Sequence, residues 1–285
     1  MSEKVFLNGS LIDADKACIP VGDSGLLYGA GLFETMRSCN AVVFRLEDHL
    51  ERLFKSAGVL SINISCDKKF ITDAVYKTLA ANKLADARLR LTITGGSIRE
   101  QGERRSTLLI TATDFQPYPA EYYKKGVMVV LCPFRQNTSD PIYGNKTINY
   151  FSRIIGLNQA HQKGAAEALW FTLDGRLAEG CVSNVFLVRD SKLFTPAVST
   201  PVLPGIARKT VCEIAAANSI ELVEKDLSID DLLGADEVFL TNVIMQVMPI
   251  NSVEKHTVGD GKPGPVTMKL MNYFDEFVKG RCRKE

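Results

Sequence analysis

Short apolar runs separated by turn dipeptides open the chain, and a helical stripe follows them. Val5-Phe-Leu7 and Ser10-Leu-Ile12 flank Asn8-Gly9, a dipeptide that tolerates the positive φ of a type I′ turn, so an edge hairpin is predicted. A glycine-rich stretch from Gly22 to Gly31 leads into Leu32-Phe-Glu-Thr-Met36, with Val42-Val-Phe44 at hairpin distance. Leu46, Leu50, Leu53, Phe54 and Ala57 then fall on one stripe of a helix that Gly58 is expected to close as a left-handed cap. A second helix over 68–82, strands at Arg88–Ile93 and Thr107–Thr111, and the breaker Gln116-Pro-Tyr-Pro119 complete a first unit.

The pattern resumes with the strand Gly126–Leu131, a loop reaching Lys146, and a helix whose buried side is expected from Ile148, Phe151, Ile154, Ile155 and Leu157. Strands at Glu167–Leu173 and Ser183–Val188 flank the turn Asp174-Gly175, and Ser191-Lys192 closes another hairpin. Gly205–Asn218 and Pro265–Gly280 read as helices, and Ser228-Ile-Asp-Asp231 has the form of a capping box. This ordering predicts an α/β (α+β) protein with an N-terminal α/β domain over 1–118, a linker over 119–125, and a C-terminal domain over 126–285 that carries Lys146.

Composition narrows the class. At 285 residues and 46% hydrophobic content the chain is long enough for two buried cores. Thirty-four basic residues against 33 acidic ones leave no field of the kind nucleic-acid binders carry, so a small-molecule substrate is expected. Seven cysteines lack C-x-x-C spacing, which favours neither a zinc site nor a disulfide framework and fits a reducing cytoplasm. The start, Met1-Ser-Glu-Lys-Val5, has neither a basic segment nor an apolar core of a signal peptide, and no apolar run reaches the ~18 residues of a membrane helix.

Candidate chemistry centres on Lys146, placed after a loop and before a helix, with Glu179 following 33 positions later (179 − 146). A lysine shielded from water can lose its proton and form a Schiff base, while a carboxylate from another segment pairs with a cofactor's ring nitrogen. That combination points to pyridoxal phosphate (PLP). Each residue alone has a plainer reading: Lys146 as a helix-start lysine, Glu179 as a solvated turn residue, Arg52 as a polar-face charge. The three histidines lack metal spacing, and His49 is expected to pack or cap rather than react. Tyr28-Gly-Ala-Gly31 lacks the full G-x-G-x-x-G pattern and reads as a tight turn.

Three further phrases change those odds: Tyr28-Gly-Ala-Gly-Leu-Phe-Glu-Thr35, Leu203-Pro-Gly-Ile-Ala-Arg208 and Thr241-Asn-Val-Ile-Met-Gln-Val-Met-Pro249. In that order around Lys146 and Glu179, they make the chain resemble the class IV aminotransferases, the fold-type IV PLP enzymes, from the Asn8-Gly9 hairpin to about Pro249. The resemblance implies a two-domain fold like that of the D-amino-acid aminotransferases, with PLP between the domains and homodimers whose partner loops close each site. It implies that Lys146 carries the internal aldimine, Glu179 binds the pyridine nitrogen and Arg52 binds the phosphate. Ile206 and Ala207 at a helix start complete the phosphate cup, Asn242 and Val243 form its other wall, Leu203 lies against the ring, and Tyr150 reaches the phenolic oxygen.

Within the family, the positions matching the carboxylate trap of D-amino-acid enzymes are Phe33, Gly95 and Ser97, and the trap residues are absent. Branched-chain enzymes show Phe-Glu-Gly-Ile-Arg where this chain has Phe33-Glu-Thr-Met-Arg37. Asn242-x-x-Met245-x-Val247-Met-Pro249 and Thr35 look more like aminodeoxychorismate lyases, which eliminate pyruvate to release 4-aminobenzoate for folate synthesis. Their loop arginine is missing from Thr94-Gly-Gly-Ser-Ile-Arg99, and Arg99 or Arg135 is the candidate replacement. The reading from sequence is therefore a lyase, with an amino-acid aminotransferase of branched-chain or D-amino-acid type as the alternative and a non-catalytic binding module last.

Overall fold

The computed structural model describes residues 3–97 and 105–283. The chain forms two compact units: one takes Met1–Gln116, Asn145–Asn149 and Lys279–Glu285, the other Pro117–Gly144 and Tyr150–Val278. In the first, β1 (Lys4–Leu7), β2 (Ser10–Asp13), β3 (Gly31–Cys39), β4 (Val42–Val43), β5 (Ala87–Thr94) and β6 (Leu108–Asp114) pair antiparallel in the order β2-β1-β6-β5-β3-β4. Asn8 and Gly9 both take positive φ, 48° and 100°, as the hairpin turn requires. Three α-helices among the described residues lie wholly in this unit: α1 (Ser24–Tyr28), α2 (Leu46–Val59) and α3 (Lys68–Ala81).

Period-two alternation along β5 buries Leu89, Leu91 and Ile93 and leaves Arg88 and Arg90 exposed. The buried row packs with Leu50 and Leu53 of α2 and Ile71, Val75 and Leu79 of α3 in one core. Glycine 58 does not end α2 as expected. The helix runs through it to Val59, and the left-handed residue is Ser61, at φ 54°.

The second unit contains α4 (Ala120–Lys125), β7 (Val127–Gln136), α5 (Phe151–Gln162), β8 (Glu167–Thr172), β9 (Leu177–Gly180), β10 (Asn184–Arg189) and β11 (Lys192–Pro196). It continues with α6 (Ile206–Ala217), β12 (Leu222–Lys225), α7 (Ile229–Leu233), β13 (Glu237–Asn242), β14 (Gln246–Val253), β15 (His256–Thr257) and the start of α8 (Pro265–Arg281). The sheet order is β12-β11-β10-β13-β14-β7-β8-β9, with β15 on β14. Both halves of the Ser228–Asp231 capping box are formed.

Two expectations are corrected here. The buried side of α5 is Arg153, Gly156 and Ala160, whereas Phe151 and Ile154 are exposed. Gly156 explains the rotation: a Cβ there would lie 3.1 Å from Cys132 Sγ and 3.2 Å from Cys181 Sγ, so the helix seats its smallest residue on the sheet. The second correction concerns Lys146, expected in the C-terminal domain. Its segment groups with the first unit, because it runs beside β3 as if it were an added strand.

Candidate active site

In the first unit the Lys146 segment is fixed by backbone hydrogen bonds. Phe33 N donates to Lys146 O at 2.9 Å and Ile148 N donates to Gly31 O at 3.0 Å. Gly31 permits this approach, since a Cβ there would meet Ile93 O at 2.6 Å and Ile148 Cδ1 at 2.8 Å. The Lys146 ammonium nitrogen lies 4.4 Å from the centroid of the buried Phe33 ring. The same ring carries the Arg90 guanidinium at 3.9 Å. A lysine, an aromatic ring and an arginine thus stand in contact on the sheet face away from the core.

Arg52, on α2, spends its Nε and Nη2 on the two oxygens of Glu34, and His49 Nδ1 lies 2.7 Å from Glu34 Oε2. Glu34 is 1% exposed and His49 is fully buried. Burial raises the Glu34 carboxyl, but the Arg52 charge and the His49 contact outweigh it and hold the group down to about 2. Burial pushes the His49 imidazole below its ordinary range against the pull of Glu34, with Arg52 and Lys146 adding to the fall. His49 is therefore neutral near pH 7 and donates from Nδ1. Its Nε2 is buried without a hydrogen-bond partner.

The second unit holds the remaining candidates. Glu179 lies on β9, not in a solvated turn, and is buried. Its Oε1 accepts from Arg153 Nη2 at 2.6 Å and Gln136 Nε2 at 3.1 Å, and its Oε2 accepts from the Leu203 backbone N–H at 2.9 Å. The Tyr150 hydroxyl donates to the Cys181 carbonyl, and burial pushes its phenol up.

Gly205 is the N-cap of α6 and supplies no side-chain cap, so the first N–H groups, those of Ile206 and Ala207, stand at an electropositive helix start that no side chain caps. A Cβ on Gly205 would lie 2.0 Å from Asn184 Oδ1, and Asn184 itself donates to Leu203 O at 2.9 Å. Asn242 shapes its turn: Oδ1 accepts from Ile244 N and Met245 N, both at 2.8 Å, and Nδ2 donates to Val182 O. Val243 begins that turn and is buried.

Of the candidate arginine replacements, Arg99 falls outside the described residues. Arg135 bonds to the Cys132 and Phe134 carbonyls of its own strand, where β7 shifts register. At Gly95 a Cβ would meet Ser24 Oγ at 2.8 Å, so an arginine could enter only by displacing Ser24.

Sequence reading missed Glu34, Arg153, Gln136, Asn184 and Arg90. Two left a signal. Glu34 occupies a core-facing register between Leu32 and Met36, and Arg153 shares a helical face with Gly156 and Ala160, which are costly places for charge unless it is paired.

Residues 31–253 match the family model of amino-transferase class IV. A putative branched-chain-amino-acid aminotransferase of Methanocaldococcus jannaschii is 32% identical over 96% of both chains. A D-alanine aminotransferase of Bacillus licheniformis is 30% identical over 99% of both, and an aminodeoxychorismate lyase of Bacillus subtilis is 28% identical over 99% of this chain and 97% of its own. Among solved structures, the Escherichia coli branched-chain amino acid aminotransferase superposes with a TM-score of 0.93 at 27% identity, covering 100% of this chain and 97% of its own. A T.th. branched-chain amino acid aminotransferase complexed with N-(5′-phosphopyridoxyl)-L-glutamate does so at 0.91 and 26%, covering 98% and 95%.

The chain belongs to the class IV aminotransferases. It has the fold-type IV architecture and is a PLP-dependent enzyme of that family, whose members catalyse transamination or lyase chemistry.

Proposed function

We propose that the enzyme transfers an amino group between an amino acid and a 2-oxo acid, with a dicarboxylate as one partner of the exchange. The observation that carries this is the Phe33 ring with Lys146 Nζ at 4.4 Å and Arg90 Cζ at 3.9 Å. A planar guanidinium near the reacting lysine suits bidentate capture of a substrate carboxylate. The phosphopyridoxyl-glutamate bound by the T.th. relative supports the same substrate class.

The residues present fit PLP, because the start of α6 has no side-chain cap and leaves backbone N–H donors for a phosphate. Bound PLP supplies an electron sink for negative charge developing at the substrate α-carbon. In this reading Lys146 would hold the cofactor, and its amine would move the proton at the substrate α-carbon. Arg52 and the Ile206 and Ala207 N–H groups hold the phosphate, and Asn242 and Val243 shape the wall beside it. Glu179 would pair with the ring nitrogen, and Leu203, whose N–H orients Glu179, would support the ring. Tyr150 acts through the Cys181 carbonyl by fixing that loop.

Pyruvate elimination from aminodeoxychorismate is the second reading. It rests on the Asn242–Pro249 phrase, on Thr35, and on the Bacillus subtilis lyase relative. A folate-pathway role stands or falls with it. One enzyme sample given aminodeoxychorismate, and separately L- and D-amino acids with 2-oxoglutarate, separates the two. Glutamate formation without 4-aminobenzoate release supports transamination, and the reverse supports the lyase. Arg90→Met should raise KM for the dicarboxylic partner roughly tenfold to a hundredfold, the weight of a charge-assisted contact. An unchanged KM removes Arg90 from the substrate site.

A homodimer and a cytoplasmic location complete the proposal. Val21, Leu26, Leu27 and Tyr28 are 72%, 66%, 46% and 69% exposed, an apolar cluster suited to cover by a second copy. No helix among the described residues is long and apolar enough to cross a membrane.

A further inference from the structure

We infer that Glu34 is a positioning residue for phosphate recognition, holding the Arg52 guanidinium in one plane before the ligand arrives, with His49 holding Glu34. The inference rests on the reading of Arg52 as the phosphate anchor. Three observations carry it. The contact is two-pointed, with Nε and Nη2 each on a separate Glu34 oxygen, which fixes both the direction and the plane of a side chain that is otherwise among the most mobile. The partners come from different elements, β3 and α2, so the fork is referenced to the sheet and not only to its own helix. The carboxylate is buried to 1% exposure and has a second donor in His49, so it cannot swing to follow Arg52.

A purely structural ion pair would need none of this. Buried pairs are commonly replaceable by apolar residues at little loss of stability, yet this one also retains an imidazole whose Nε2 has no partner. Keeping a polar cluster in a core position beside Leu32 and Met36 makes sense if the orientation of Arg52 is what it provides. The same strand places Phe33 against Lys146, so β3 sets both the lysine's aromatic support and, through Glu34, the proposed phosphate anchor.

The test compares PLP with pyridoxal, which lacks the phosphate, in binding titrations of the full-length apoprotein. Arg52→Ala should weaken PLP and leave pyridoxal affinity unchanged. Glu34→Gln should do the same, by roughly tenfold or more. Combined with Arg52→Ala it should add nothing to the PLP-to-pyridoxal ratio. Glu34→Asp, which keeps the charge but draws it back by one methylene, should show a smaller loss of the same selectivity and serves if the Gln variant does not fold. If Arg52→Ala leaves the ratio unchanged, the anchor itself is misassigned. If Arg52→Ala shifts the ratio while both Glu34 variants weaken the two ligands equally, or neither, Glu34 is structural and the inference is overturned.

Discussion

Each unit buries a charged pair at its candidate site, and the proposed roles are exchanged between them. In the first unit the cation, Arg52, is the proposed ligand-facing member and Glu34 supports it; in the second the anion, Glu179, faces the ligand and Arg153 supports it. The pairs differ in how the supporting member is held. Glu34 has a second side-chain donor in His49, whereas Arg153 also donates to the Gly180 carbonyl at 2.8 Å and lies 4.5 Å over the Trp170 ring. A supporting carboxylate needs donors, and a supporting guanidinium needs acceptors and π faces. Neither supporting residue touches the ligand in this account, yet each spends burial energy on a first contact that must not move.

Arg153→Met breaks the second pair most sharply. It leaves a buried carboxylate without its cation and should cost about 3–5 kcal/mol of stability, read from denaturant unfolding. A loss below roughly 1 kcal/mol, the range of exposed pairs, would mean that water replaces the guanidinium. Glu179→Gln keeps the size and removes the charge, so turnover should fall by about two orders of magnitude or more with cofactor retained. Near-normal turnover would make the carboxylate structural.

Gly205→Ala tests the start of α6 without substituting a member of either pair. Its new methyl overlaps Asn184 Oδ1, and overpacking of this kind costs roughly 1–3 kcal/mol, expected here as weaker PLP affinity. Unchanged affinity would show that the α6 start tolerates a side chain.

The smallest effect is the pH dependence of the first pair. The folded His49 pKa lies below its unfolded value of 6.5, so below that pH the unfolded chain binds more protons and stability falls as pH falls. His49→Asn, which preserves a donor to Glu34, should flatten the stability slope below about pH 6.5. For Glu34, depressed from 4.5 to about 2, the stabilisation present above 4.5 is lost as pH falls toward 2, and that limb should persist in the Asn variant. An identical slope in wild type and His49→Asn would contradict the neutral imidazole.

Much of this was legible in the sequence where local periodicity and final burial agree. The α2 stripe, the Asn8-Gly9 hairpin and the Ser228 capping box are determined by residues a few positions apart. The exposed Phe151 and Ile154 were misread because a glycine, Gly156, decides how close α5 lies to its sheet, and no apolar count registers that. Glu179 looked solvated because its donors, Arg153, Gln136 and Leu203, come from three separate segments. Partner identity across long sequence separation is what a single chain's pattern does not carry, and the supporting half of each pair is made of such partners.

The central claim is that Lys146, held along β3 and against Phe33, is the residue that bears the cofactor. Borohydride reduction of the PLP-loaded enzyme, followed by proteolysis and mass-spectrometric mapping, tests it most directly. The account predicts a pyridoxyl group on the peptide containing Lys146. A label on another lysine, such as Lys163 or Lys192, would contradict it.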